Sequence, residues 1–171
     1  MQIKGIFGNT LIISVFLDCP DGWDYFSGSK SCYKVFTTPM SWNSAQKFCQ
    51  SENSALASIS NSETNSFLTT LTTNTSWIGG YRSGSTWRWI DGSSWGYTSW
   101  SNGNPNNEQG VQDKTSFNWG GVGKWDDDSA TKTYPFICRV EASGILPQSG
   151  KPLVHSYLYI CIYSKRVLKS L

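Results

Sequence analysis

Helical spacing and alternation mark out most of the elements. Residues 19–36, CPDGWDYFSGSKSCYKVF, set two short aromatic runs on either side of Ser27-Gly28-Ser29, which predicts a hairpin whose arms Cys19 and Cys32 can staple. In SWNSAQKFCQ, Ser41 can cap a helix carrying Trp42, Ala45 and Cys49 on one face at i, i+3 and i+7, so Cys49 points inward. ALASI, residues 55–59, reads as a short buried strand. Ser60 and Glu63 form a capping box that opens a second helix, with Phe67, Leu68 and Leu71 as its apolar face. Beyond it the helical period disappears. Trp77-Ile78-Gly79, Trp87-Arg88-Trp89, Tyr97 to Trp100, Lys124-Trp125 and Phe136-Ile137-Cys138 are short strand candidates between Gly, Ser, Asn and Asp clusters. Two helices, then several strands and a long polar excursion, predict an α+β fold.

The two ends depart from this pattern. GIFGNTLIISVFL, residues 5–17, follows Lys4 and has the look of a short signal-peptide apolar region, interrupted by Asn9 and Thr10 and without a clear cleavage site before Asp18. A degraded signal-like segment over residues 1–18 is favoured over a structured N-terminal strand. From Glu141 a Ser/Gly/Pro-rich linker leads into PLVHSYLYICIYSKRVLKSL. Its apolar part, Leu153 to Tyr163, is too short for a transmembrane helix, and its end is basic rather than apolar. Residues 141–171 are expected to be a poorly structured appendage without membrane association, with an interfacial segment as the alternative. The body is thus residues 19–140, one domain.

Composition sharpens this division. All nine Trp lie between Trp23 and Trp125, which places the core in that interval. Residues 1–140 carry ten Lys/Arg against eleven Asp/Glu, and residues 141–171 four against one, so the basic balance belongs to the tail. With no basic stripe in the body, nucleic acid is not an expected partner. The five cysteines include no Cys-x-x-Cys pair, and the one histidine is His155, which leaves nothing to build a Cys/His zinc site. Four cysteines sit in the aromatic-rich body, as in an oxidised extracellular domain, and Cys161 is left over. No His-based triad can form in the body, and its carboxylates are grouped as a cation site would be, so no catalytic residue and no enzyme is expected. Asn74-Thr75-Ser76 is the one acceptor sequence for N-glycosylation; an unused Asn on a surface loop is the alternative.

The polar excursion poses the functional question. Residues 102–128, NGNPNNEQGVQDKTSFNWGGVGKWDDD, hold five Asn, four Asp and one Glu with almost no aliphatic side chain. A solvated loop and a site for a hard cation both fit that composition.

The ordered set CPDGW, SCYK, SWNSAQKFC, LASI, WIGG, W-x-DGS, GNPNNE, GKWDD and YPFICR resembles the C-type lectin-like domain, in its long form, from Cys19 to about Val140. The resemblance implies two helices, two small antiparallel sheets and a long loop carrying the ligand site. It also implies disulfides Cys49–Cys138 and Cys19–Cys32. A third family bridge is missing, because Gly110 and Ala130 stand at both of its positions, and the loop is expected to be looser for it.

Sugar-binding members of that family hold a calcium ion with a Glu-Pro-Asn or Gln-Pro-Asp tripeptide, a later Glu, and the Asn and Asp that follow a Trp. The matching positions here are Asn104, Asn106, Glu108, Asp126 and Asp127, with Pro105 expected to be cis. Three carboxylates and two amides are retained, with the acid moved from the first position to the fourth. Two vicinal sugar hydroxyls would then meet two amides, Asn104 with Asn106, and two acids, Glu108 with Asp126. The second pair lacks a donor, at a cost of about 1 kcal/mol. Trp100 and Trp119 flank the loop and could stack on a sugar face, although Trp in this family is more often core. The leading expectation is therefore an extracellular, secreted, calcium-dependent carbohydrate-binding module with glycans or glycoproteins as partners. The rival is a lectin-like domain that takes a protein or lipid partner without calcium.

Overall fold

The computed structural model describes residues 10–145 and 157–164, and the side chains of residues 17–143. They fall into two compact units, Cys19–Glu141 and the two chain ends. The first strand, β1 (Thr10–Asp18), belongs to the ends and is taken up last.

The larger unit starts with the expected hairpin. β2 (Asp24–Phe26) pairs antiparallel with β3 (Ser31–Ser41), and the Lys30 N–H donates to Ser27 O at 3.3 Å across the turn. Helix α1 (Trp42–Ser51) follows directly, capped by the Ser41 hydroxyl, which accepts from the Ser44 N–H. It buries Trp42, Ala45 and Cys49, the face that the spacing predicts. Strand β4 is only Ala55–Leu56; Ala57 to Ile59 continue buried, with the Ala57 N–H donating to Ile137 O at 2.8 Å.

Helix α2 (Ser62–Leu71) starts one residue later than the expected capping box requires. Its cap is Asn61, whose Oδ1 accepts from the Thr64 N–H at 2.8 Å, while Glu63 bonds the Ser62 hydroxyl instead of reaching back. Asn and Ser cap about equally well, so the choice falls to whichever places Leu68 in the core.

The remaining strands are β5 (Ser76–Ser83), β6 (Thr86–Trp89), β7 (Gln112–Phe117), β8 (Trp125–Ser129) and β9 (Thr133–Glu141). They form two antiparallel groups. β2, β3, β9 and β4 make one, and β6, β5, β7 and β8 the other. A single parallel bridge, Trp77 to Phe136, joins them into one sheet of eight strands. The two small sheets implied by the resemblance are thus continuous at one point. Gly79 lies near that junction because a Cβ there would meet Leu56 O at 2.5 Å, so only glycine lets the two backbones approach. Tyr97 to Trp100, expected as a strand, is irregular apart from one bridge between Trp100 and Trp125.

Four tryptophans, Trp42, Trp77, Trp89 and Trp125, are buried in the core, in the interval that the composition predicts. Trp89, Trp95, Trp100 and Trp125 pack with ring centroids 4.4 to 6.2 Å apart, mostly tilted or edge-on. Three of the four buried indole N–H groups find a distant partner: Trp42 donates to Ile78 O, Trp77 to Met40 O and Trp125 to Asn65 Oδ1, all at 2.8 or 2.9 Å, while Trp89 Nε1 is buried without one.

Disulfides join Cys19 to Cys32 and Cys49 to Cys138, the pairs that the resemblance implies. The second ties α1 to β9 across 89 residues of sequence and is wholly buried.

At the chain ends, β1 pairs antiparallel with β10 (Ser143–Ile145) on one side and β11 (Tyr157–Ser164) on the other. This differs from the sequence expectation for both segments, of a signal-like run and of a poorly structured appendage. Both are rich in β-branched and aromatic residues, the composition that strands favour. Residues 1–9, 146–156 and 165–171, which hold the start of the apolar run, most of the linker with His155, and the basic terminus, lie outside the described residues. So does the Cys161 side chain. Among the described residues no helix is long and apolar enough to cross a membrane.

Candidate functional site

The polar excursion is not a loop throughout. Gln112–Phe117 form β7, and Asp126, Asp127 and Asp128 lie on β8 with exposures of 5%, 0% and 1%. Their burial follows from Trp125, which anchors β8 three ways. Its ring packs among the other tryptophans, its indole reaches Asn65 on α2, and its backbone N–H and C=O pair with Ser99 O and the Ser101 N–H at 2.8 Å. The first part of the long loop is thereby laid against β8.

Asp127 holds the next part. Its Oδ1 accepts from the Asn106 N–H at 2.8 Å and its Oδ2 from the Asn107 N–H at 2.6 Å. Between these anchors the Asn104–Pro105 bond is cis, as expected, and the Asn104 amide donates to Ser101 Oγ at 2.8 Å. Asn106 Oδ1 accepts from the Glu108 N–H at 2.9 Å, which also bonds Gln112 Oε1. Asn107 adopts a left-handed conformation and its side chain accepts from the Gln112 N–H at 3.2 Å. The loop is therefore closed by its own Asn and Gln side chains where the family's third bridge is missing. Gly110 ends a short 3-10 turn, Glu108–Gly110, and Ala130 packs against the core below α1.

Asp126 is different. Its Oδ1 is buried without a hydrogen-bond partner. Burial raises its carboxyl to about 6, and the charges of Asp127 and Asp128 push the same way. Asp128 is satisfied, accepting from Tyr134 Oη at 2.8 Å and pairing with Lys132 at 2.8 Å. Burial and that hydrogen bond raise the Tyr134 phenol well above its ordinary value.

Of the five expected ligands, Asn104, Asn106, Asp126 and Asp127 lie on one connected stretch of loop and strand. Glu108 is carried on the turn beyond them, and among the described residues no three Asp, Glu, His or Cys side chains converge into a metal-holding group. Asp126 Oδ1 fits a cation by its lack of a donor, whereas both Asp127 oxygens already have donors. Sequence reasoning gave Asp127 no part in holding the loop, and no signal in composition marks it, because its partners are backbone amides. The flanking tryptophans also separate: Trp100 packs in the core, and Trp119, on the β7–β8 loop, is 48% exposed.

Asp126 makes a signed prediction. In calcium-free solution the native chain keeps this proton up to about pH 6, whereas an unperturbed carboxyl releases it near 3.8. The folded state therefore binds more protons between those values, and this group's contribution to stability falls as pH rises through that window. Thermal melts from pH 4 to 7 should show that decline in the parent relative to Asp126→Asn, and the variant should be the more stable at pH 7. Parallel curves for the two proteins would show that Asp126 does not titrate there.

The Lectin C-type domain family model matches residues 38–140. The chain belongs to the C-type lectin family. Its fold is the C-type lectin-like α+β fold, and the family is one of binding proteins rather than enzymes. A lectin from Pleurodeles waltl is 35% identical over 71% of this chain and 76% of its own length. Among solved structures, a calcium-independent type II antifreeze protein aligns with a TM-score of 0.69 at 26% identity, covering 74% of this chain and 97% of that one. The cow C-type carbohydrate-recognition domain of CD23, solved with a GlcNAc2Man3 oligosaccharide, aligns with a TM-score of 0.68 at 27% identity, over 74% and 98%.

Proposed function

We propose that this C-type lectin domain is a secreted, extracellular module that binds glycans or glycoproteins with calcium held in its long loop. The observation that carries this is Asp126 Oδ1, a buried carboxylate oxygen with no donor, flanked by two further carboxylates. A divalent cation relieves both the missing partner and the mutual repulsion. Asn104, Asn106, Asp126 and Asp127 would hold it, and Glu108 would join once the Glu108–Gly110 turn brings its side chain inward. Bound calcium supplies a Lewis-acidic centre for sugar hydroxyls, and Asn104 and Asn106 supply amides to donate to them. The two disulfides fit an oxidising compartment.

One observation favours a second reading. Both Asp127 oxygens are satisfied by loop N–H groups, so the loop is held without a cation, and a domain of this kind could take a protein or lipid partner in calcium-free form. The likeness to a calcium-independent antifreeze protein points the same way.

Melting with and without calcium separates the two. Calcium at one hundred times its dissociation constant should stabilise the fold by about 2.7 kcal/mol, and chelator should abolish binding on a glycan array. An unchanged melting temperature in millimolar calcium, with no binding on the glycan array in calcium or in chelator, would sink the first reading and leave the second.

A further inference from the structure

The β7–β8 loop leaves two large apolar side chains in solvent, Trp119 at 48% and Val122 at 62% exposure. They sit beside the Asn74 loop. The Asn118 amide donates to Thr72 O at 2.9 Å and Asn74 O at 3.3 Å, and the Thr75 hydroxyl donates to Asn118 O at 3.4 Å. The backbone that carries Trp119 is thus tied directly to the chain's one glycosylation acceptor sequence. Asn74 itself is exposed, and its side-chain amide makes no hydrogen bond among the described residues.

We infer that Asn74 carries an N-linked glycan whose first sugars lie over Trp119 and Val122. An N-acetylglucosamine presents an apolar ring face and an acetamido methyl, which suit an indole and an isopropyl group exposed on one loop. The glycan is the occupant that the sequence itself supplies, at the point where the two loops are bonded. This holds whether or not the long loop takes calcium.

The structure also fixes when the transfer happens. The acceptor motif needs its hydroxyl, and Ser76 Oγ is wholly buried at the start of β5, donating to Asn74 O at 3.0 Å. A transferase cannot reach that hydroxyl once β5 has paired with β7. The reaction must therefore precede folding: the Asn74 amide nitrogen attacks the anomeric carbon of a polyprenyl-diphosphate-linked oligosaccharide and loses a proton to the enzyme. The C–N bond forms as the C–O bond to the diphosphate breaks, and polyprenyl diphosphate leaves. Because the Asn74 side chain remains exposed, the folded domain accommodates the product.

The test uses the full chain secreted from eukaryotic cells. Glycopeptide mass spectrometry should find Asn74 occupied, and Asn74→Gln should lose the glycan mass. Enzymatic deglycosylation of the already folded protein, which avoids any folding defect of the variant, should increase acrylamide quenching of the Trp119 signal. That signal is read as the difference between the parent and Trp119→Phe. The refolded, unglycosylated chain should not be a substrate for the transferase, while the reduced and unfolded chain should be. An unmodified Asn74 in the secreted protein overturns the site, unchanged quenching overturns the cover over Trp119, and efficient modification of the folded chain overturns the order of events.

Discussion

Replacing Cys49 and Cys138 together with alanine should cost about 4 to 5 kcal/mol, against about 3 for Cys19 with Cys32. The difference comes from loop length. The first bridge spans 89 residues and the second 13, so the first removes more freedom from the unfolded chain. Packing works in the same direction, since Cys49 and Cys138 are wholly buried among Trp42, Leu56, Trp77 and Phe136, where lost sulfur leaves a void. Domains of this size hold about 5 to 15 kcal/mol in total, so the double variant should lose a large part of its stability. Denaturant titration of both double variants checks the order, and a Cys49/Cys138 variant that loses no more than the other would contradict it.

The second large effect is expected at Asp127, and in the absence of calcium. Asp127→Ala removes the buried carboxylate that accepts from the Asn106 and Asn107 N–H groups, two part-buried charge-assisted hydrogen bonds, a loss of about 2 kcal/mol. Asp127→Asn should do little better, because an amide offers one oxygen and sets its own N–H against a backbone donor. Its neighbour should behave oppositely, with Asp126→Asn stabilising the calcium-free domain at pH 7. Adjacent residues of one proposed ligand set thus carry effects of opposite sign. Urea melts in chelator, with hydrogen exchange at Asn106 and Asn107, would measure this. If Asp127→Ala melts with the parent and exchange at those amides is unchanged, the carboxylate is not what holds the loop. A loss of sugar binding in Asp127 variants would for the same reason not by itself report on calcium, and Asp126 is the cleaner probe.

The parts of the fold legible in the sequence were those where one physical signal is enough. Trp42, Ala45 and Cys49 at helical spacing behind Ser41 define α1 and its buried face, and the family motifs then imply the partner of Cys49. α2 was offset by one residue because Ser60 and Asn61 are both good caps, and only the packing of Leu68 decides between them. β7, QDKTSF, carried no signal, since its buried Gln112, Thr115 and Ser116 are polar and alternation cannot be read from them. The candidate site divides in the same way. Its residue types were apparent, and so was the cis bond before Pro105. That Asp126 lacks a donor while Asp127 has two depends on where backbone amides fall, which side-chain identities do not specify.

The arrangement of the long loop has a consequence for solubility. β8 ends the row of strands, and an outermost strand offers its unpaired amides and carbonyls to any other extended chain. Here the segment from Ser99 to Asn107 lies along that margin, bonded to the backbone of Trp125 and to the carboxylate of Asp127. The ligand loop therefore doubles as a selvedge that keeps the sheet from unravelling into its neighbours. Changes that loosen the loop to retune what it binds would also expose the margin, so broader recognition and resistance to aggregation are set against each other in this domain.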